Sequence, residues 1–341
     1  MVIITVMPII HIYDAHPQDQ ESLQKLLAHA GELRFTAEPL SATNVDPDAE
    51  VISGFVSSAM PAELIAQFPK LKLIACRSTG FNHVDLKAAL KQGLQVANVP
   101  TYGEHTVAEY TFTLLLALTR KVIAAQTAFA QGNATHDSLQ GVDLYGKTFG
   151  LIGTGHIGKN VAAIAQGFGM KVVANDAFPD HDWSKQHKID YLPLDKLLDQ
   201  SDVVSLHIPY TKESHHLINE SKLGRLKPTA LLVNTARGEL VDTEALITDL
   251  ANNSLAGAAL DVFEGENLVD IHNELITLRK TGKRQQLEQG VALDIMRKLP
   301  NLLVTNHNAF NTVEALGRIN QTTADNITSY LNGSPQNLVK P

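Results

Sequence analysis

Residues 150–169 read GLIGTGHIGKNVAAIAQGFG, with Gly153, Gly155 and Gly158 lying between the apolar run TFGLI and a segment carrying Ile157, Val161, Ile164 and Phe168 at helical spacing. A G-x-G-x-x-G that leaves a strand and opens a helix admits few folds. The first glycine makes the tight turn, the second lets a pyrophosphate approach the backbone, and the third lets helix pack on strand; the helix N-terminus offers its free N–H groups to the phosphate. A second strand-like run, KVVAND, ends in Asp176, eighteen residues past Gly158, and the acid that binds an adenosine ribose is expected about 20 residues on. No arginine stands in the following AFP to receive a 2′-phosphate, so the pattern favours NAD over NADP. A structural turn with a solvated aspartate is the alternative.

The rest of the chain alternates in the same way. Upstream, IIHIYD, EVISGFV, LKLIAC and LQVANVP alternate with helix-like DQESLQKLLAHA and PAELIAQF; downstream, DVVSLHIP, ALLVNTA, AGAALDVF and NLLVTNH continue the series. Such alternation predicts parallel sheets covered by helices. Residues 104–126 contain no proline and predict one long helix. The stretch 178–190, FPDHDWSKQHKID, reads as a loop, and residues 267–300 as a mixed-charge insertion, a solvated helical excursion with an oligomer contact or a lid as the alternatives. The expected class is therefore α/β with two lobes: a Rossmann-type doubly wound parallel sheet that binds NAD over residues 102–307, and a smaller flavodoxin-like substrate lobe built from 1–101 with 308–341.

Three chemically capable residues follow strands of the larger lobe: Arg237 after ALLVN, Glu266 as the second acid of FEGE, and His307 closing NLLVTNH. In open parallel sheets the carboxyl ends of strands line the ligand crevice, so residues distant in sequence converge there. An arginine can clamp a carboxylate through two parallel hydrogen bonds. A histidine can protonate a carbonyl oxygen as hydride reaches its carbon, and a carboxylate beside it favours the proton-donating form. These are the groups that reduction of a 2-oxo acid requires. Taken singly, each has an ordinary reading as a surface ion pair, a solvated turn residue or a hydrogen-bonded structural histidine.

The segments GTGHIG, VNTARGELVD, GAALDVFEGE and NLLVTNHNAF, in this order, resemble the D-isomer-specific 2-hydroxyacid dehydrogenases, most closely the fermentative D-lactate dehydrogenases. The resemblance implies reduction of pyruvate by NADH, with Arg237 holding substrate and polarising its carbonyl, and Glu266 partnering the proton donor His307. It implies substrate contacts from Ser78, Thr79 and Gly80, whose amides suit an anion-binding nest, and from Tyr102. Cofactor contacts would fall on Gly153, Gly155, His156, Ile157 and Gly158, on Asp176, on His207 and Pro209, on Thr235 and Ala236, and on Asp261 at the carboxamide. From the residues alone, Asp261 is equally a strand-end cap and His207 a packed histidine. A homodimer, and lobes that close on the substrate, are implied as well. Two alternatives stay open: a dehydrogenase for a bulkier 2-oxo acid, and a non-enzymatic NAD(H)-sensing protein, because the same motifs occur in transcriptional corepressors. Related formate dehydrogenases carry glutamine at the position of Glu266, which disfavours formate.

Composition narrows the partners. The formal charge is -8 with no basic block interleaved with aromatics, which argues against nucleic acid. One cysteine, Cys76, excludes an internal disulfide and the usual cysteine zinc sites, and no metal-ligand set is read elsewhere. The N-terminal MVIITVMPIIHIYD lacks a basic region and is interrupted by Pro8 and His11, unlike a signal peptide or a membrane span. A cytoplasmic protein taking a small 2-oxo or 2-hydroxy acid is expected.

Overall fold

A computed structural model describes residues 7–133, 138–266 and 291–340, and the chain divides into two units, Met1–Tyr102 with Asn311–Pro341 and Gly103–Phe310.

In the first unit, β1 (Ile9–Ile12), β2 (Glu32–Phe35), β3 (Val51–Gly54), β4 (Leu73–Cys76) and β5 (Gln95–Ala97) form a wholly parallel sheet in the order β2-β1-β3-β4-β5. This is the flavodoxin-like order. Side chains alternate across it: Ile10, Ile12, Val51, Leu73 and Ala75 pack with Leu23, Ala324 and Ile327, whereas Ile52, Ile74, Cys76 and Val96 pack with Met60, Ile65 and Phe68. The helix Val313–Leu331, capped by Thr312 Oγ1 accepting from the Ala315 amide at 3.1 Å, brings the C-terminal segment back onto this sheet. Sequence patterning missed β2, where Glu32 and Arg34 pair across an edge strand at 2.7 Å; charges that keep an edge from pairing further also erase its apolar signal.

The second unit holds β6 (Thr148–Ile152), β7 (Lys171–Asn175), β8 (Asp190–Tyr191), β9 (Val203–Leu206), β10 (Leu231–Asn234), β11 (Gly257–Leu260) and β12 (Leu302–Val304). All pairs are parallel, in the order β12-β11-β10-β9-β6-β7-β8. The order reverses between β6 and β9, which makes their carboxyl ends the switch point where such sheets take ligands. The two parallel sheets bear out the expected α/β class.

Local readings fail in three places. The expected long helix is two, Glu104–Thr119 and Val122–Ala130, bent by 58°. Lys121 sits at φ 49, and the Thr119 carbonyl accepts from the Val142 amide at 3.0 Å instead of continuing the helix. Residues His181–His187 are helical, not a loop: Asp180 caps them by accepting from the Trp183 amide at 3.1 Å, which supplies the N-terminal bond that polar composition concealed. Of the insertion, residues 267–290 lie outside the described residues, while 291–296 are helical as expected but not solvated throughout, since they bury Leu293 and Met296 in the core of the second unit. No single helix among the described residues is long and apolar enough to cross a membrane.

Burial pushes the His83 imidazole in the first unit down to about 4, with Asp14 opposing, and its Nε2 is buried without a hydrogen-bond partner among the described residues. The unfolded chain takes up a proton at the ordinary value of 6.5, so this histidine's contribution to stability is intact above that pH and is lost as pH falls toward 4. The slope reaches at most about 1.4 kcal/mol per pH unit. Urea unfolding at pH 7 and pH 5 should therefore show His83→Gln losing less stability between the two pH values than the wild-type chain. An equal loss would contradict the assignment.

Candidate active site

Register places the functional segments of the second unit along one edge. Val304, Leu260, Asn234, Leu206, Ile152 and Asn175 lie side by side at the ends of six neighbouring strands. Gly153, Asp176, His207, Thr235 and Asp261 follow immediately, and Arg237 and His307 each stand three residues past a strand end.

The glycine turn fits a dinucleotide. Gly153 adopts φ 97, and a Cβ there would lie 2.5 Å from the His207 carbonyl oxygen; a Cβ on Gly158 would lie 2.1 Å from the Gly153 oxygen. Both glycines are thus required by close packing at the β6–β9 switch point. A Cβ on Gly155 would meet nothing within 4 Å, and Gly155 caps the helix His156–Gly167 with no side chain occupying its free amides. The backbone is left open at the position where phosphate oxygens must approach. His156 is exposed, and Ile157 is half-buried behind the turn.

Asp176 supports this turn. Its Oδ2 accepts from the Thr154 amide at 2.6 Å and the Thr154 hydroxyl at 2.9 Å, and its Oδ1 accepts from the Phe178 amide at 2.8 Å. Burial alone would raise this carboxyl; those donors and Lys159 outweigh it and hold the group below its usual value. His207 Nε2 lies 2.8 Å from Ser205 Oγ, and desolvation pushes its imidazole down to about 3, so it stands neutral over β9. Pro209 is exposed, its carbonyl accepting from Ser214 Oγ at 3.1 Å. Thr235 is buried, its hydroxyl 3.0 Å from that of Thr111.

The turn after β10 is built to present Arg237. Buried Asn234 donates from Nδ2 to the Arg237 carbonyl at 2.8 Å and accepts from the Ala236 amide at 3.0 Å. Sequence reasoning passed over Asn234; a buried amide ending the apolar strand LLVN was the available signal. Arg237 is half-buried; among the described residues its guanidinium donates only to the Ala236 carbonyl, at 2.6 Å, and makes no ion pair. Gly238 permits close approach to the next loop, since a Cβ would lie 2.3 Å from the Phe263 carbonyl carbon. That loop carries Glu266.

Glu266 Oε1 lies 3.0 Å from His307 Nδ1, both side chains partly exposed. The second carboxylate oxygen, Oε2, is buried with no hydrogen-bond partner among the described residues, and among them His307 is the group that this carboxylate faces. His307 adopts φ 49, a conformation that costs a non-glycine residue about 1–2 kcal/mol. Buried Asp261 offsets the cost by tying down the loop: its carboxylate accepts from Thr305 Oγ1 at 2.5 Å, the Asn308 amide at 2.8 Å and the Ala309 amide at 2.8 Å, and its carbonyl accepts from the His307 amide at 2.9 Å. Asp261 thus caps a strand end, one of the two roles that its sequence position left open. Phe310 meets the His307 ring edge-on, centroids 6.3 Å apart.

The first unit holds a cluster of its own. Ser78 Oγ donates to the Gly80 carbonyl at 2.6 Å, Thr79 Oγ1 to the Val99 carbonyl at 2.8 Å, and Asn98 Nδ2 to the Thr79 carbonyl at 2.7 Å. Side chains satisfy the Thr79 and Gly80 carbonyls and the Val99 amide that of Ser78, while the amides of Ser78, Thr79 and Gly80 meet no acceptor among the described residues. Successive free amides of this kind can form an anion-binding nest. The preceding Arg77, almost wholly buried 3.4 Å from Asp19, donates to the Tyr13 and Asp14 carbonyls and anchors the loop. The Tyr102 carbonyl accepts from Arg318 Nε at 2.6 Å.

Comparison with known proteins places this arrangement in context. Residues 112–309 match the D-isomer specific 2-hydroxyacid dehydrogenase, NAD binding domain, family. The chain is 35% identical to the D-lactate dehydrogenase of Escherichia coli over 341 residues, 96% of this chain and 99% of that one. It is 36% identical to a glyoxylate reductase of Korarchaeum cryptofilum over 297 residues, 86% of this chain and 83% of the other. The D-lactate dehydrogenase of Aquifex aeolicus, solved with NAD and lactic acid, superposes with a TM-score of 0.83 at 34% identity, covering 97% of this chain and 99% of that one.

Proposed function

Because the chain belongs to the D-isomer specific 2-hydroxyacid dehydrogenase family and is an NAD-dependent D-2-hydroxyacid dehydrogenase, we propose that its substrate is pyruvate, reduced to D-lactate. The observation that carries the chemistry is the 3.0 Å pair of His307 and Glu266, a positioned proton donor on the same sheet edge as an arginine with no ion-pair partner among the described residues. The choice of pyruvate rests on the almost end-to-end likeness to D-lactate enzymes.

In this scheme the amides of Ser78, Thr79 and Gly80 hold the substrate carboxylate, with Tyr102 beside it. Arg237 grips carboxylate and carbonyl oxygen together, a task suited to a planar fork of donors. Glu266 accepts from Nδ1 and fixes the ring, so Nε2 is the atom that gives its proton to the carbonyl oxygen. NADH, held at Gly153, Gly155, His156, Ile157 and Gly158, supplies the hydride. Asp176 reaches the ribose, Asp261 the carboxamide through the free lone pair of Oδ2, and His207, Pro209, Thr235 and Ala236 line the cofactor.

Steady-state NADH oxidation with pyruvate, glyoxylate, 4-methyl-2-oxopentanoate and phenylpyruvate, with chiral analysis of the product, tests the reading. Pyruvate should give the highest kcat/KM and a D product. Each methylene of mismatch changes discrimination by about 1–3 kcal/mol, so preference for one of the other three acids is readily measured and would replace pyruvate.

The same reading includes a homodimer. The helix Val122–Ala130 buries none of its residues and leaves Val122, Ile123 and Phe129 exposed, Phe129 by 78%; such a patch suits a second copy of the chain. Sedimentation should give a dimer that Phe129→Asp weakens, whereas a wild-type monomer would refute it.

A further inference from the structure

One cluster of metal-ligating side chains has no part in that scheme. His215, His216 and Glu264 each offer one ligand atom, all within 4.8 Å of one another. His216 Nε2 lies 2.8 Å from Glu264 Oε1, and the His215 and His216 rings stack with centroids 3.9 Å apart. We propose that these three side chains form a binding site for a divalent transition-metal ion of the zinc or cobalt type, linking the loop after β9 to the loop after β11.

Two imidazoles and one carboxylate are a zinc donor set that leaves a fourth position for water, and imidazole nitrogen selects such ions over magnesium or calcium. The ligands are also oriented from behind. Asp242 Oδ2 lies 3.8 Å from His216 Nδ1, and the Thr243 amide donates to Glu264 Oε2 at 3.4 Å, leaving Oε1 for an ion. Outer partners of this kind fix ring and carboxylate in metal sites. His216 is held at φ 49, its amide donating to the Glu239 carbonyl at 2.9 Å while the Ile218 amide donates to Leu240 at 3.0 Å. A non-glycine residue stays in that region only where its surroundings enforce it. Metal–ligand distances of about 2.0–2.2 Å in a tetrahedron separate neighbouring ligand atoms by roughly 3.3 Å, so Nε2 and Oε1 need to part only slightly from 2.8 Å. The ion takes the place of the proton these two atoms share, which passes to solvent. His215 is exposed, giving the ion a route in.

The test uses the full-length protein, freed of metal by chelation and titrated with zinc by calorimetry and with cobalt by visible absorption. One ion per chain is expected, with the intense visible bands of four-coordinate cobalt. His215→Gln should weaken binding by more than the roughly 10–100-fold that loss of an outer-shell partner costs, while metal-free NADH turnover stays at the wild-type value and shows that the variant is folded. Lack of saturable one-to-one binding, or undiminished binding by His215→Gln, would overturn the proposal. Neither readout depends on which 2-oxo acid the enzyme prefers.

Discussion

His307→Ala is expected to lower kcat for pyruvate reduction by about 10²–10⁴-fold, the contribution of a positioned general acid, with little change in KM. The imidazole sits on a loop whose φ 49 turn is enforced by Asp261 through the amides of residues 308 and 309, so its removal leaves the rest of the edge in place. Binding of NADH, followed by fluorescence, should match the wild-type protein. A kcat within a few-fold of wild type would remove His307 from the proton-transfer step.

The second large effect is assigned to Arg237→Lys, which keeps the charge and loses the fork. Lysine cannot donate two parallel hydrogen bonds to a carboxylate while polarising the neighbouring carbonyl, so KM should rise and kcat fall together, with kcat/KM down by roughly 10²–10³-fold. Asn234 and Gly238, which shape the turn around this residue, are untouched by the exchange. Near-native kinetics would make Arg237 a surface cation only.

The sequence disclosed those features that a residue type must satisfy by itself. Gly153 and Gly158 could be read because only glycine tolerates backbone oxygens at 2.5 and 2.1 Å from a Cβ position, and Arg237, Glu266 and His307 because strand ends in a parallel sheet share one edge. What stayed hidden depends on partners brought together by folding. Nothing local in LTRKV marks a helix break; the reason is the Val142 amide reaching the Thr119 carbonyl. The polar HDWSKQH is helical through a cap at Asp180 and the packing of Trp183. That Asp261 also caps its strand end cannot be seen in LDVF, because the three donors around its carboxylate come from residues 305, 308 and 309. Adjacent His215 and His216 gain a third ligand only when Glu264, 48 positions from His216, folds beside them.

The most direct test of the account is a double-mutant cycle between Glu266 and His307. Glu266→Gln should by itself lower kcat, because the amide keeps the shape of the side chain but withdraws the negative charge facing Nδ1. If the carboxylate acts through the imidazole across their 3.0 Å contact, adding Glu266→Gln to His307→Ala should cost nothing further in kcat for pyruvate. Losses that simply multiply in the double variant would mean that the two side chains work independently, and the paired acid at the end of this sheet would have to be abandoned.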